Sequence, residues 1–206
     1  MLNTDSETKA VVFDVGRVIV QWDLRHLVEK VVTDPAECDW VVDHVITLNW
    51  HFQHDAGRPI AGMVAERKAL FPQYAEVIDA YANRFIETIP GRVPGTAELI
   101  QRLHEQGTPL FAITNFGADF WEQFAPTEPV LELFRDIVVS GQEKLVKPDP
   151  AIFRHAARRF GYAPAEMLFI DDSPANVQRA ADEGWQAHHF TDAATLEADL
   201  QQRGLL

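Results

Sequence analysis

Six residues at four places in the chain could do chemistry together: Asp14, Thr114 with Asn115, Lys147, and Asp171 with Asp172. Their types are a carboxylate able to act as a nucleophile, a hydroxyl and an amide, an ammonium, and a carboxylate pair. A carboxylate nucleophile splits one hard displacement into two easier ones, a route used for phosphoryl transfer. Three carboxylates against one ammonium leave two uncompensated negative charges, which would repel a phosphate dianion. A hard, oxygen-seeking dication such as Mg²⁺ restores the balance. Phosphoryl transfer is largely positioning and charge stabilisation, and this is suitable equipment for it.

These residues act together only if the fold delivers them to one place. Each follows a short apolar run of the kind that forms a fully buried parallel strand. Residues 9–13 (KAVVF) end at Asp14, 108–113 (TPLFAI) at Thr114, and 167–170 (MLFI) at Asp171. Residues 136–139 (DIVV) are followed by Lys147 in VKPDP, and 185–190 form a fifth run. Helices with clear punctuation lie between them. Residues 95–106 carry apolar positions 97, 99, 100 and 103 and stop at Gly107. Asp149-Pro150 opens the next helix and Gly161 closes it; Ser173-Pro174 does the same for one ending at Gly184. Alternation of this kind predicts an α/β fold, a Rossmann-like three-layer arrangement around a parallel sheet. Ligands of such sheets bind beyond the carboxyl ends of the strands, where all six residues fall.

Residues 21–89 break the alternation and offer only helical periodicity, over 24–32, 35–48 with Asp34 as cap, 58–71 and 73–88. They read as a helical cap inserted after the first strand, with Gly91, Pro94 and Gly95 at the return. The core domain is then 1–20 with 90–206.

Composition narrows the classes of function. A net charge of −13, from 18 basic and 31 acidic residues, argues against nucleic acid, which is bound mainly by neutralising its phosphates. No run approaches the roughly 20 apolar residues of a membrane span. The polar start MLNTDSET lacks the pattern of a secretory signal and reads as a frayed tail. Cys38 is the only cysteine, which excludes an intrachain disulfide and suits a reducing cytoplasm. A small anionic substrate remains, its charge met locally.

Taken in order, FDVGRVIV, AITN, KPDPAIF and FIDDSPANV resemble the four motifs of the haloacid dehalogenase superfamily of hydrolases. The resemblance runs from about residue 10 to 190, and the family's helical cap follows the first motif. It implies that Asp14 is a nucleophile forming an aspartyl intermediate, that Thr114 hydrogen-bonds the transferred group, and that Lys147 offsets charge. It implies Mg²⁺ held by Asp14, Asp171, Asp172 and the Gly16 carbonyl. In isolation each residue has a plainer reading: a strand-end Asp is usually a turn or cap residue, and a single Lys is a solvated one.

One position departs from the pattern. Most phosphatases of the family carry a second Asp two positions after the nucleophile, as general acid and base; here it is Gly16. The first motif instead resembles a branch with FDLGNVIV-type motifs that includes bacterial α-glucose-1-phosphate phosphatases, and Asp23 also matches that branch. This implies a sugar-phosphate-like substrate. The 2-haloacid dehalogenases also lack the second Asp, and they form the metal-free alternative; a catalytically inactive binding protein is another. Phospho-receivers place their acidic pair before the phosphoacceptor, the reverse of this order. The Asp171-Asp172 pair favours the phosphatase. In the cap, Trp22, Asp23, Trp50, His54 and Arg58 are the expected substrate contacts, with Gly16 and Arg17 beside the nucleophile and Asn115 after the second strand. His51 with His54, and His188 with His189, lack a third ligand at metal-site spacing and read as structural.

Overall fold

The computed structural model describes residues 7–206, so most of the polar amino-terminal stretch lies outside the described residues. Strand β1 (Ala10–Phe13) is the centre of a five-stranded parallel sheet with β2 (Leu110–Thr114), β3 (Asp136–Val139), β4 (Met167–Asp171) and β5 (Gln186–His189). The spatial order is β3-β2-β1-β4-β5. The first four follow the predicted runs closely; the fifth is trimmed to four residues at the sheet edge.

Because side chains alternate across a strand, a sheet covered on both faces needs apolar residues at every position. Val11, Phe13, Leu110, Ala112, Leu168 and Ile170 enter one apolar cluster, whereas Ala10, Val12, Phe111, Ile113, Met167 and Phe169 enter the other. Helices α6 (Thr96–Glu105) and α11 (Ala193–Gln202) supply Leu99, Ile100, Leu103, Leu196 and Leu200 to the first face. Helices α9 (Pro150–Phe160) and α10 (Pro174–Asp182) cover the second. Asp149 caps α9 through the Ala151 N–H, and Gly161 ends it at φ 78°. Ser173 makes no side-chain cap bond.

The region after β1 is helical: α1 (Arg25–Val28), α2 (Pro35–His44), α3 (Leu48–Asp55), α4 (Ile60–Leu70) and α5 (Ala75–Asn83), then a 3₁₀ turn at Phe85–Thr88. Asp34 caps α2 as expected. The helix expected over 35–48 ends at His44, and α3 beyond it, past Leu48, covers residues for which no helix was expected. Thr47, in extended conformation, accepts a bond from the Trp50 N–H and starts α3 afresh. The two stems of this region run side by side, with Gln21 N–H donating to Gly91 O at 2.8 Å and Val93 N–H to Ile19 O at 2.9 Å.

The cap region is tied down on α7 (Ala118–Phe124) of the core. Phe85 stacks on Phe120 at 3.9 Å, and Tyr81 and His54 meet the same ring edge-on. Burying each large apolar side chain is worth roughly 1.5–3 kcal/mol, so this contact holds the region firmly over the sheet's carboxyl edge. Among the described residues no helix is long and apolar enough to cross a membrane.

Candidate active site

Parallel pairing sets Phe13 opposite Ile170, so the next residues, Asp14 and Asp171, leave adjacent strands side by side. The Asp14 N–H donates to Ile170 O at 2.8 Å and fixes that exit. One Asp14 oxygen, Oδ1, accepts from the Val15 N–H at 2.7 Å and from Lys147 Nζ at 2.8 Å. Lys147 Nζ also donates to Asp171 Oδ2 at 2.7 Å. Asp171 is fully buried and further held by the Ser173 N–H and by Asn176 Nδ2, at 3.0 Å to each oxygen. Asp14, Asp171 and Asp172 bring one carboxylate oxygen each within 4.8 Å of one another. Arg17 approaches Asp172 at 4.0 Å.

Burial is the largest influence on the Asp14 carboxyl; with Asp171 and Asp172 beside it, it raises Asp14 to about 7 against the pull of Lys147. Burial also pulls the Lys147 ammonium down, but Asp14 and Asp171 more than offset it and keep the ammonium charged. Asp172 is raised by burial and by Asp171. The cluster therefore has the strained excess of negative charge that a dication relieves.

Lys147 is placed by its backbone. Asn115 Nδ2 donates to Lys147 O and the Lys147 N–H donates to Asn115 Oδ1, both at 2.9 Å. Both ends of the Asn115 amide are thereby engaged, so Asn115 positions the lysine. Thr114 ends β2, buried at 1% exposure, and does not wall the cavity.

That cavity, of about 260 Å³, is lined by Asp14, Gly16, Arg17, Lys147, Asp172 and Asn176 at the sheet edge. Val20, Trp22, Leu48, His51, Phe52, Asp55, Phe85, Ile89, Asn115 and Phe116 complete its wall. The structure thus brings Gly16, Arg17 and Trp22 to the same cavity as Asp14, and Arg17 lies over the Trp22 ring at 5.2 Å.

Four expected substrate contacts are not on the wall. Trp50 is turned into the cap against Tyr81, with Arg67 over its ring. The His54 ring fits against Gly117, where a Cβ would come within 2.0 Å of it, and its Nδ1 pairs with Arg58 O. Arg58 makes exposed bonds to Gln53 and Glu66. Asp23 is exposed and accepts from the Arg25 N–H at the start of α1. In their place are two residues not expected, His51 and Asp55, whose Nε2 and Oδ2 lie 3.3 Å apart. Asn176, also missed, sits in the FIDDSPANV run, in the first turn of the helix that follows Asp171, and its place in that run is the signal that could have found it. Ser140, another missed residue, opens the short helix α8 (Ser140–Glu143) and joins cap to core: its hydroxyl donates to Asp55 O at 2.7 Å and accepts from the Phe116 N–H at 2.9 Å.

Residues 8–184 match the family model for haloacid dehalogenase-like hydrolases. A sesquiterpene phosphatase from Aspergillus oryzae is 30% identical over 104 residues, which is 50% of this chain and 53% of that protein. A phosphoglycolate phosphatase from Thiobacillus denitrificans is 26% identical over 180 residues, 84% of this chain and 78% of the relative. The chain spans about half or less of the first curated relatives it matches, 53%, 17% and 43% of their lengths. Among solved structures, a HAD-like family hydrolase from Porphyromonas gingivalis superposes with TM-score 0.75 at 18% identity, covering 96% of this chain and 98% of that one. A HAD family enzyme from Bacteroides thetaiotaomicron, solved with magnesium and inorganic phosphate, gives 0.68 at 20% identity, covering 90% and 95%. At these identities the likeness is one of fold.

Proposed function

The chain belongs to the haloacid dehalogenase-like hydrolases, and on that premise we propose that it is a Mg²⁺-dependent phosphatase acting on a small phosphorylated metabolite. The observation that carries this reading is the three-carboxylate cluster with Lys147 bridging Asp14 and Asp171 at the floor of the cavity. The donors are hard oxygens, close together and over-charged, which fits a hard dication. Asp14, Asp171, Asp172 and the Gly16 carbonyl would hold it. Bound there, Mg²⁺ offsets charge on the carboxylates and the phosphoryl oxygens. Sequence relatives that are phosphatases support the same choice over the metal-free dehalogenase.

In this reading Asp14 Oδ1, restrained by the Val15 N–H and Lys147, fixes the carboxylate while Oδ2 attacks phosphorus. The Oδ2–P bond forms as the bond from phosphorus to the leaving oxygen breaks, and the leaving oxygen takes a proton from solvent water. A second water then attacks phosphorus and gives up a proton to solvent, the Oδ2–P bond breaks, and inorganic phosphate departs. Lys147 offsets charge on the transferred group. Residues 21–89 act as a cap over the core of 1–20 and 90–206, excluding water and completing the wall.

The test is turnover of p-nitrophenyl phosphate with Mg²⁺, with EDTA, and in Asp14→Asn. Activity is expected only in the first, and beryllofluoride is expected to add to Asp14 alone. Full activity in EDTA, activity in a folded Asp14→Asn variant, or chloride release from 2-chloropropionate without metal would overturn the reading.

A further inference from the structure

Helix α3 places Leu48, His51, Phe52 and Asp55 at intervals of three, four and seven, which is one side of a helix. All four wall the cavity that contains Asp14. Leu48 and Phe52 are large apolar residues left 56% and 41% exposed, whereas His51 and Asp55 are buried. With Trp22, Phe85, Ile89 and Phe116 they make most of the wall beyond the carboxylate cluster apolar.

The polar groups on the wall can be separated by what already occupies them. Asn115 is committed to the Lys147 backbone, Asn176 to Asp171, and Lys147 to Asp14 and Asp171. Arg17 and Asp172 face one another beside the nucleophile, at the phosphate end. His51 and Asp55 are the polar pair that the cap region brings to the wall. His51 Nδ1 is 2.7 Å from the Tyr81 hydroxyl, and its ring is stacked between Trp22 and Phe85. Its Nε2 faces Asp55 Oδ2 at 3.3 Å, and Asp55 Oδ1 has no hydrogen-bond partner among the described residues. Oδ1 is closed off from solvent, so a ligand's donor can reach Asp55 only through Oδ2. A sugar, in contrast, would carry several hydroxyls into a wall that offers a single polar pair, each unpaired group weakening binding.

We infer that the leaving group of the substrate is a largely apolar ring or chain bearing one hydrogen-bond donor. Its carbons rest on Trp22, Leu48, Phe52 and Phe85, and its donor is accepted by Asp55, which His51 positions. This rests on the phosphatase reading and replaces the sugar-phosphate expectation with a different substrate class.

Four primary alkyl esters with closely matched leaving oxygens provide the test: cyclohexylmethyl phosphate, its trans-4-hydroxy derivative, the 4-methoxy ether of that compound, and glucose 6-phosphate. Acetyl phosphate, too small to span the wall, is the reference. The hydroxy compound is expected to exceed the methoxy ether in kcat/KM by about tenfold or more, as a hydrogen bond to a charged group allows. Cyclohexylmethyl phosphate is expected to exceed glucose 6-phosphate. Leu48→Ser and Phe52→Ser, at exposed positions that do not endanger folding, are each expected to lower the ratio of cyclohexylmethyl to acetyl phosphate turnover by about tenfold. Asp55→Leu is expected to erase the hydroxy-over-methoxy preference. Preference for glucose 6-phosphate, or ratios unmoved in the folded variants, would overturn the inference while leaving the phosphatase intact. No turnover of acetyl phosphate by the wild type would instead overturn the phosphatase reading itself.

Discussion

Gly16→Asp puts a carboxyl group where the chain lacks one, and the local geometry lets its effect be worked out. Gly16 lies on the cavity wall near Asp14 and Asp172. A Cβ built on it meets nothing within 4 Å, and its backbone is outside the left-handed region, so the substitution carries no steric strain. The negative charge of Asp14 and Asp172 beside it is expected to raise a new carboxyl there, toward the protonated form a general acid needs. A well-placed acid contributes roughly 10²–10⁴-fold, and one without evolved support belongs at the low end, about 10²-fold or roughly 2.7 kcal/mol of barrier. The gain is expected only where the leaving oxygen needs a proton. The assay is kcat/KM for phosphate esters graded by leaving-group pKa, from nitrophenyl to simple alkyl. The wild type is expected to show a steep decline across the series and Gly16→Asp a flatter one, with little change at the nitrophenyl end. A shallow wild-type series, or an unchanged slope in a folded variant that still binds Mg²⁺, would refute the reasoning.

Lys147→Met leaves Asp14 and Asp171 buried without their cation; a loss of about 3–5 kcal/mol is expected in urea melts without metal, with turnover abolished. Gly117→Ala drives a methyl into the His54 ring, so a cost of about 1–3 kcal/mol is expected. His54→Ala in the same chain should recover part of it, which a double-mutant cycle reads as coupling. Ser140→Ala strips both bonds joining α3 to the β2 loop; a cost of about 1–3 kcal/mol is expected by thermal melt. Glu87 is held at about 2 by its bonds to Arg84 and then Lys30. Its folded value lies below the ordinary 4.5, so its stabilisation is present above about 4.5 and is lost as pH falls through about 2. Glu87→Gln should therefore be less stable than the wild type at pH 6 and equal to it near pH 2.

The strands and the residues at their ends were legible in the sequence because a parallel strand buried on both faces has to be an unbroken apolar run. The chain leaves such a run at the sheet's carboxyl edge, where Asp14, Thr114 and Asp171 stand. Punctuation such as Asp149-Pro150 and Gly161 is equally local, because a cap bond or a left-handed exit involves only a few neighbouring residues. The face of α3 was not legible. Leu48 and Phe52 lie on one side and Trp50 on another, and the histidines are likewise divided, so periodicity gave no preference for either side. Only the docking of that helix on Gly117, Phe120 and Ser140 turned His54 and Trp50 into packing and sent His51 and Asp55 to the cavity. Asn115 shows the same division. Its place after β2 was set by the local sequence, but its partner, the Lys147 backbone, is 32 residues away and met it only when the strands paired. Sequence determines what is local and repeated; which side of a helix faces a substrate is decided by contacts between segments that are distant along the chain.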